Sequence, residues 1–139
     1  MNWYRLSQKT FLLKELEILK PQMVRAAQEI YNLWEQDDDG FDEEYGSGGI
    51  CDQISQEISN VIANSIDADI IPGGQDGDDH AWIFAKRGNE AFSIDIPPGY
   101  YESGSGYSWV KIPNVIFTTE MIEIYPANSE DLEGYDELV

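Results

Sequence analysis

The chain has 139 residues, of which 27 are Asp or Glu and 8 are Lys or Arg, so its formal net charge is −19. Four Trp, eight Tyr and five Phe supply enough apolar surface for a core, which excludes a wholly disordered chain. The acidity excludes direct binding to a nucleic-acid backbone, which requires a basic patch, and it disfavours an anionic membrane surface.

The length and the spread of charge predict one domain over residues 1–126, followed by a flexible acidic tail over 127–139. Residues 1–25 hold five Lys and Arg against two Glu, a net of +3, whereas the other 114 residues hold three against 25, a net of −22. No stretch approaches 18 apolar residues, and the first 20 residues do not read as a secretory signal. A single cysteine cannot form an internal disulfide, so we expect a reducing, cytoplasmic setting.

Two helices are predicted before residue 36. Apolar residues recur at helical intervals over 3–19, and Pro21 is placed where a second helix over 21–35 would begin. The acidic, glycine-rich stretch 36–49 predicts a solvated loop. Glu35, just before it, together with Asp37, Asp39 and Gly40 resembles half of a calcium-binding loop, but Gly46 stands where such a loop needs Glu. No metal and no cofactor are therefore expected.

A third helix is predicted over about 50–65, and strands follow it. The predicted strands are 68–71, 80–85, 91–96, 108–112 and 122–125, with a hairpin around Lys86–Glu90. Helices followed by an antiparallel sheet are typical of an α+β fold rather than of alternating strands and helices.

Three residues carry the chemistry that the sequence predicts. Cys51 lies in the first turn of the third helix, where free backbone N–H groups and the helix dipole favour an anion and so a thiolate. His80 opens one arm of the hairpin, and Asp95 lies near the end of the other. A thiol nucleophile, an imidazole base and an orienting carboxylate are the parts that thiol acyl transfer requires.

The hairpin geometry supports a pair between His80 and Asp95. If Arg87-Gly88 forms a two-residue turn, the two residues stand directly opposite each other; if Gly88-Asn89 forms it, they are diagonal neighbours on one face. A three-residue loop would place them on opposite faces unless a bulge intervened.

Gly49-Ile-Cys51 at a helix start, His80-Ala-Trp82 on a strand and Ser93-Ile-Asp95 on the next resemble the transglutaminase-like core. The resemblance covers about residues 48–98. It implies a papain-like fold in which a cysteine-bearing helix packs on a small antiparallel sheet, with Cys51 as nucleophile, His80 as base and Asp95 as orienting acid. It also implies a cysteine protease, another hydrolase of amides, or a transamidase.

Nearby carboxylates and aromatic residues bear on the same prediction. Asp52 beside Cys51 disfavours a thiolate, whereas Asp76, Asp78 and Asp79 make the His80 imidazole more basic. Five aromatic residues are candidates for lining a substrate groove; they are Trp82, Tyr100, Tyr101, Tyr107 and Trp109. For the two Trp residues, a position in the core is the alternative.

The sequence thus predicts a cysteine-dependent acyl-transfer enzyme that acts on an amide or peptide bond of a protein or peptide. The negative charge favours a basic or amine-bearing substrate. The alternative is an acidic, non-enzymatic binding or inhibitor protein, either a mimic of nucleic acid or a degenerate papain-like fold. Cys51, His80 and Asp95 would then be structural residues.

Overall fold

A computed structural model describes residues 3–36, 50–75, 78–103, 110–128 and 131–132, and at 3–10, 75, 78 and 79 it describes the backbone alone. Most of the predicted loop 36–49 lies outside the described residues, as do Asp76, Tyr107, Trp109 and most of the tail. The fold is α+β, with two helices and a small antiparallel sheet. No helix in the described ranges is long and apolar enough to cross a membrane.

One helix, α1 (Trp3–Gln36), replaces the two that were predicted, so the predicted break at Pro21 is wrong. Proline inside a helix removes one backbone hydrogen bond, but Pro21 is exposed and the buried stripe runs past it without a change of phase. A continuous apolar face favours one continuous helix because each turn packs on the same core. The buried residues of this stripe are Leu12, Leu16, Leu19, Met23, Ala27, Tyr31 and Trp34.

The second helix, α2 (Cys51–Ser65), confirms the helix predicted over about 50–65. Ile54, Ile58 and Ile62 recur every four residues and are buried, which places one face of α2 in the core. Ser55 lies on the same helix, and its hydroxyl donates a 3.0 Å hydrogen bond to the carbonyl of Ala81. This bond fixes the first turns of α2 against the sheet.

The main sheet contains four antiparallel strands in the order β1-β2-β3-β6. The strands are β1 (Asp69–Gln75), β2 (Asp78–Arg87), β3 (Glu90–Asp95) and β6 (Glu123–Pro126). A second, two-stranded sheet pairs β4 (Glu102–Ser103) with β5 (Val110–Lys111). Of the strand predicted over 108–112, residues 108 and 109 lie outside the described residues, Val110 and Lys111 form β5, and Ile112 belongs to no strand.

The β2–β3 hairpin has the second of the two predicted registers. Ile83 pairs with Ile94 and Arg87 pairs with Glu90, so the turn is Gly88-Asn89. Gly88 has a φ of +60°, a conformation that the first turn residue of a type II′ hairpin requires and that glycine adopts without a steric penalty. This register makes His80 and Asp95 diagonal neighbours, as predicted for that turn.

Strand β1 runs through Pro72, where the sequence predicted that it would end. Proline cannot donate a hydrogen bond to a neighbouring strand, but β1 lies at the edge of the sheet, where such a donor is not required. Gly73 then pairs with Trp82, and a Cβ atom at Gly73 would lie 2.4 Å from Trp82 Nε1. The absence of a side chain at this position lets the indole lie against the backbone of β1.

Side chains of α1 hold the segment before β6 in place through its backbone. Gln28 donates to the carbonyl of Val115 at 3.0 Å and accepts from the N–H of Phe117 at 2.7 Å. The Tyr31 hydroxyl donates to the carbonyl of Ile112 and accepts from the N–H of Val115. These bonds supply partners for backbone groups in a segment that belongs to no helix or strand.

Candidate functional site

Cys51 is the first residue of α2 and lies at the boundary between core and solvent. Its exposed fraction is 8%, and the preceding Ile50 is completely buried, which anchors the helix start in the core. The first residues of an α-helix have N–H groups with no acceptor inside the helix. The predicted position of the thiol at a helix N-terminus is confirmed.

His80 and Asp95 form a direct pair across the hairpin. The distance from His80 Nε2 to Asp95 Oδ2 is 2.9 Å, and the side chains are 28% and 23% exposed. The sequence predicted this contact from the length of the turn. Because Asp95 is the last residue of β3, its carboxylate is held by the sheet rather than by a loop.

The thiol of Cys51 interacts with the same imidazole, and this interaction favours the protonated form of His80. His80 Nδ1, the ring nitrogen that does not contact Asp95, is buried and has no hydrogen-bond partner of ordinary geometry among the described residues. Nδ1 is therefore the nitrogen that remains for the thiol. The bond from Ser55 to Ala81 positions these two groups, because it joins the helix of Cys51 to the strand of His80 beside the histidine.

The imidazole is held in its charged form. The hydrogen bond with Asp95, followed by the interaction with Cys51, raises the pKa of His80 to about 10, and partial burial opposes these effects. The Trp82 ring lies 5.3 Å from the His80 ring at an angle of 35°, within the range of a favourable contact between an aromatic face and a cation. At neutral pH the site therefore holds an imidazolium between the Asp95 carboxylate and the Cys51 sulfur.

A titration can check this charge state directly, because His80 is the single histidine of the chain. We expect the imidazole Cε1–H signal in an NMR titration to move with an apparent pKa well above the ordinary value of about 6.5 in the native protein and near that value in denaturant. The Asp95→Asn variant should titrate nearer the ordinary value because it lacks the largest cause of the shift. A native midpoint close to 6.5 would contradict the geometry.

The same shift predicts how stability depends on pH. A pKa that is higher in the folded state stabilises the fold fully below about 6.5, and this stabilisation is lost as the pH rises towards about 10. The urea midpoint of the unchanged protein should therefore fall over this interval. It should fall less in the Asp95→Asn variant, which lacks the largest cause of the shift.

Tyr101, a predicted candidate for the substrate groove, is a residue of the hydrophobic core. It is completely buried, and its ring packs edge-on against Trp34 with centroids 6.0 Å apart. Burial, together with the negative charges of Cys51, Glu102 and Asp95, raises the pKa of its hydroxyl. The sequence made the same prediction for Tyr100 and Tyr101, yet Tyr100 is exposed and Tyr101 is buried.

The acidic neighbours that the sequence placed around the site are only partly described. Asp52 is exposed, so solvent screens its effect on the thiol, and it lies in the first turn of α2, where an acidic residue favours the helix dipole. The side chains of Asp78 and Asp79, like Asp76, lie outside the described residues. Within the described part of the chain, no group of three or more His, Cys, Asp or Glu side chains has an arrangement that could hold a metal ion.

Comparison with known proteins identifies no relative: no family model, curated protein or solved structure matches this chain. The argument for function therefore depends on the contacts of Cys51, His80 and Asp95 themselves.

Proposed function

We propose that this protein is a cysteine-dependent acyl-transfer enzyme that acts on an amide or peptide bond through Cys51, His80 and Asp95. The observation that carries the proposal is the single imidazole that hydrogen-bonds Asp95 on one side and interacts with the thiol on the other. A nucleophile, a base and a group that orients the base, within reach of one another, are the geometric requirements for nucleophilic catalysis.

In the proposed reaction, the Cys51 sulfur attacks the carbonyl carbon as a thiolate, with its proton on His80. The new S–C bond forms as the carbonyl π electrons move to oxygen. The tetrahedral intermediate then collapses, the C–N bond breaks, and His80 transfers its proton to the departing amine. Asp95 holds the imidazole in one orientation and stabilises its positive charge throughout.

The acyl group on Cys51 then passes to a second nucleophile. If water attacks, His80 accepts its proton, a C–O bond forms, the S–C bond breaks and Cys51 leaves as a thiolate, which would make the protein a peptidase, amidase or deamidase. Attack by an amine would make it a transamidase. The N–H of Cys51 at the start of α2 is one donor for the carbonyl oxygen in both reactions.

The proposal extends to the fold. A helix whose first residue is the cysteine, packed on an antiparallel hairpin that carries the histidine and then the aspartate, is the chain order of the transglutaminase-like core that the sequence resembles. The described α+β architecture supports this assignment at the coarser level of helices and sheet.

A basic or amine-bearing peptide is the substrate class that the charge favours. The chain carries a net charge of −19, and Glu123 stands opposite Asp95 in the register between β3 and β6. Negative potential around a site concentrates cationic substrates and speeds their association at low salt.

The test uses the single cysteine as its own reporter. At pH 6, an ordinary thiol with a pKa of about 8.5 is less than about 1% thiolate, so we expect native Cys51 to react with iodoacetamide at least about tenfold faster than the same chain in denaturant. Intact-protein mass spectrometry would count one adduct, and the Cys51→Ala variant would show none.

A native thiol that reacts no faster than the denatured one at pH 6 would contradict the proposal. If such an inert protein also captured a basic protein in a salt-sensitive manner, and did so equally well as the Cys51→Ala variant, the acidic binding function would replace the enzymatic one.

A further inference from the structure

The hydroxyl of Tyr101 is an unpaired polar group beside the proposed catalytic residues. The side chain is completely buried, and its oxygen has no hydrogen-bond partner among the described residues. Buried hydroxyl groups are nearly always paired, because an unpaired one loses its bonds to water without compensation. A group of this kind next to ionisable residues therefore needs an explanation.

The fold holds Tyr101 in place through its ring and backbone. A short 3-10 helix (Pro98–Tyr100) connects the end of β3 to Tyr101, whose N–H donates to the carbonyl of Pro98 at 3.0 Å. The Tyr101 carbonyl accepts from the N–H of Ile112 at 2.9 Å. With its ring packed against Trp34 and Phe117, the side chain cannot turn its hydroxyl to solvent without disrupting the core.

The surroundings of the hydroxyl determine what it can do. The charges of Cys51, Glu102 and Asp95 add to burial in raising its pKa, so the group stays protonated. A protonated hydroxyl in a negatively charged environment is a hydrogen-bond donor that lacks an acceptor. Among these three charges, that of Cys51 contributes most to the rise in the pKa of the Tyr101 hydroxyl.

A second buried tyrosine, Tyr31, differs from Tyr101 because its hydroxyl is paired. Tyr31 is 1% exposed and packs against the same Phe117 ring, with centroids 5.4 Å apart. Its hydroxyl, however, has three partners, in Glu35, the carbonyl of Ile112 and the N–H of Val115. The core can thus pair a tyrosine hydroxyl fully, and of these two tyrosines it does so for Tyr31.

We propose that Tyr101 is a catalytic residue whose hydroxyl donates a hydrogen bond to the oxyanion that forms when Cys51 attacks a substrate carbonyl. This inference depends on the proposed acyl-transfer function. The acceptor that the hydroxyl lacks in the resting protein is then supplied by the reaction. A donor that is already in place when the negative charge develops stabilises the transition state without reorganisation.

The chemistry can be followed with p-nitrophenyl acetate. The Cys51 thiolate attacks the ester carbon, the S–C bond forms, and the carbonyl electron pair moves to oxygen, where Tyr101 donates its hydrogen bond without losing its proton. As the carbonyl re-forms, the bond to p-nitrophenolate breaks and the acetyl group stays on sulfur. The released p-nitrophenolate is coloured, so a burst in absorbance measures acylation.

The experiment compares this acylation with alkylation by iodoacetamide, a substitution at sulfur that forms no oxyanion. For Tyr101→Phe, we expect acylation to slow about 100-fold while alkylation stays within about threefold of the unchanged protein. The melting temperature should stay equal or rise, because the variant removes a buried group that has no partner.

Tyr31→Phe is the matched control. It should lower the melting temperature, because it removes a paired hydroxyl, and it should leave the ratio of acylation to alkylation unchanged. If Tyr101→Phe behaved in the same way, the inference would be overturned and a buried water would be the partner of Tyr101. If the unchanged protein showed neither a burst nor fast alkylation, the proposed function itself would fail. This result differs from a failure of the Tyr101 inference alone, in which the unchanged protein would still show both.

Discussion

The His80→Gln variant is expected to acylate at Cys51 at least about 1,000-fold more slowly than the unchanged protein at neutral pH. Glutamine fills a similar volume but carries no positive charge, so the thiol loses both its proton acceptor and the cation beside the thiolate. The measurement is the single-turnover burst of p-nitrophenolate, followed under excess ester. The effect should be smaller above about pH 9, where hydroxide deprotonates the thiol without help.

Asp95→Asn tests whether the residues act as one unit. Loss of the carboxylate should slow acylation by about 100- to 10,000-fold. An amide carries no charge to stabilise the imidazolium, and it does not hold a proton on His80 Nε2 as the carboxylate does. The double variant His80→Gln/Asp95→Asn should be no slower than His80→Gln alone, because Asp95 acts through His80. Independent, multiplicative effects would contradict a triad.

Glu123→Gln is the control for this charge change. Glu123 is the register partner of Asp95 on β6, so the substitution removes the same charge from the same part of the sheet. With a neutral ester as substrate, its effect should stay within about threefold. An effect as large as that of Asp95→Asn would show that local negative charge, rather than the His80–Asp95 bond, controls the thiol.

The largest effect on stability is expected at Trp34. This residue is completely buried near the end of α1, and its ring lies between those of Tyr31 and Tyr101, 6.1 Å and 6.0 Å away. Trp34→Ala should lower the free energy of unfolding by about 3–5 kcal/mol, through lost burial and a cavity that its aromatic neighbours cannot fill. Urea unfolding followed by circular dichroism measures the change.

The adjacent Leu33 provides the control, because it lies in the same turn of α1 but its side chain is 59% exposed. Leu33→Ala should change the free energy of unfolding by no more than about 0.5 kcal/mol. If the two variants lost a similar free energy of unfolding, the face of α1 that contains Trp34 would not be the face that packs on the core.

The sequence predicted the contact between His80 and Asp95 from short-range signals. A helix start at Cys51 and a hairpin turn near Gly88 are local features, decided by residues within a few positions of one another. Once the turn is Gly88-Asn89, strand geometry alone places His80 within reach of Asp95, because side chains alternate between faces with a period of two. The chemistry of this pair could therefore be read without the tertiary structure.

Predictions at proline positions were less successful for a common reason. Proline predicted a helix boundary at residue 21 and a strand end at residue 72, yet α1 and β1 continue through both. In each case a long-range condition decides the outcome: the buried stripe of α1 runs past Pro21, and β1 is an edge strand. Local propensity is a weak prior that packing overrides.

The sequence by itself determined an acidic α+β protein with Cys51 at a helix start and with His80 and Asp95 paired across a hairpin. Only the tertiary structure decided that Cys51 meets this pair, that Gln28 and Tyr31 hold a distant segment, and that the Tyr101 hydroxyl is buried without a partner. The physical reason is distance along the chain. Turn and helix signals act over a few residues, whereas these contacts join residues 29 to 89 positions apart and arise from close packing of the whole core.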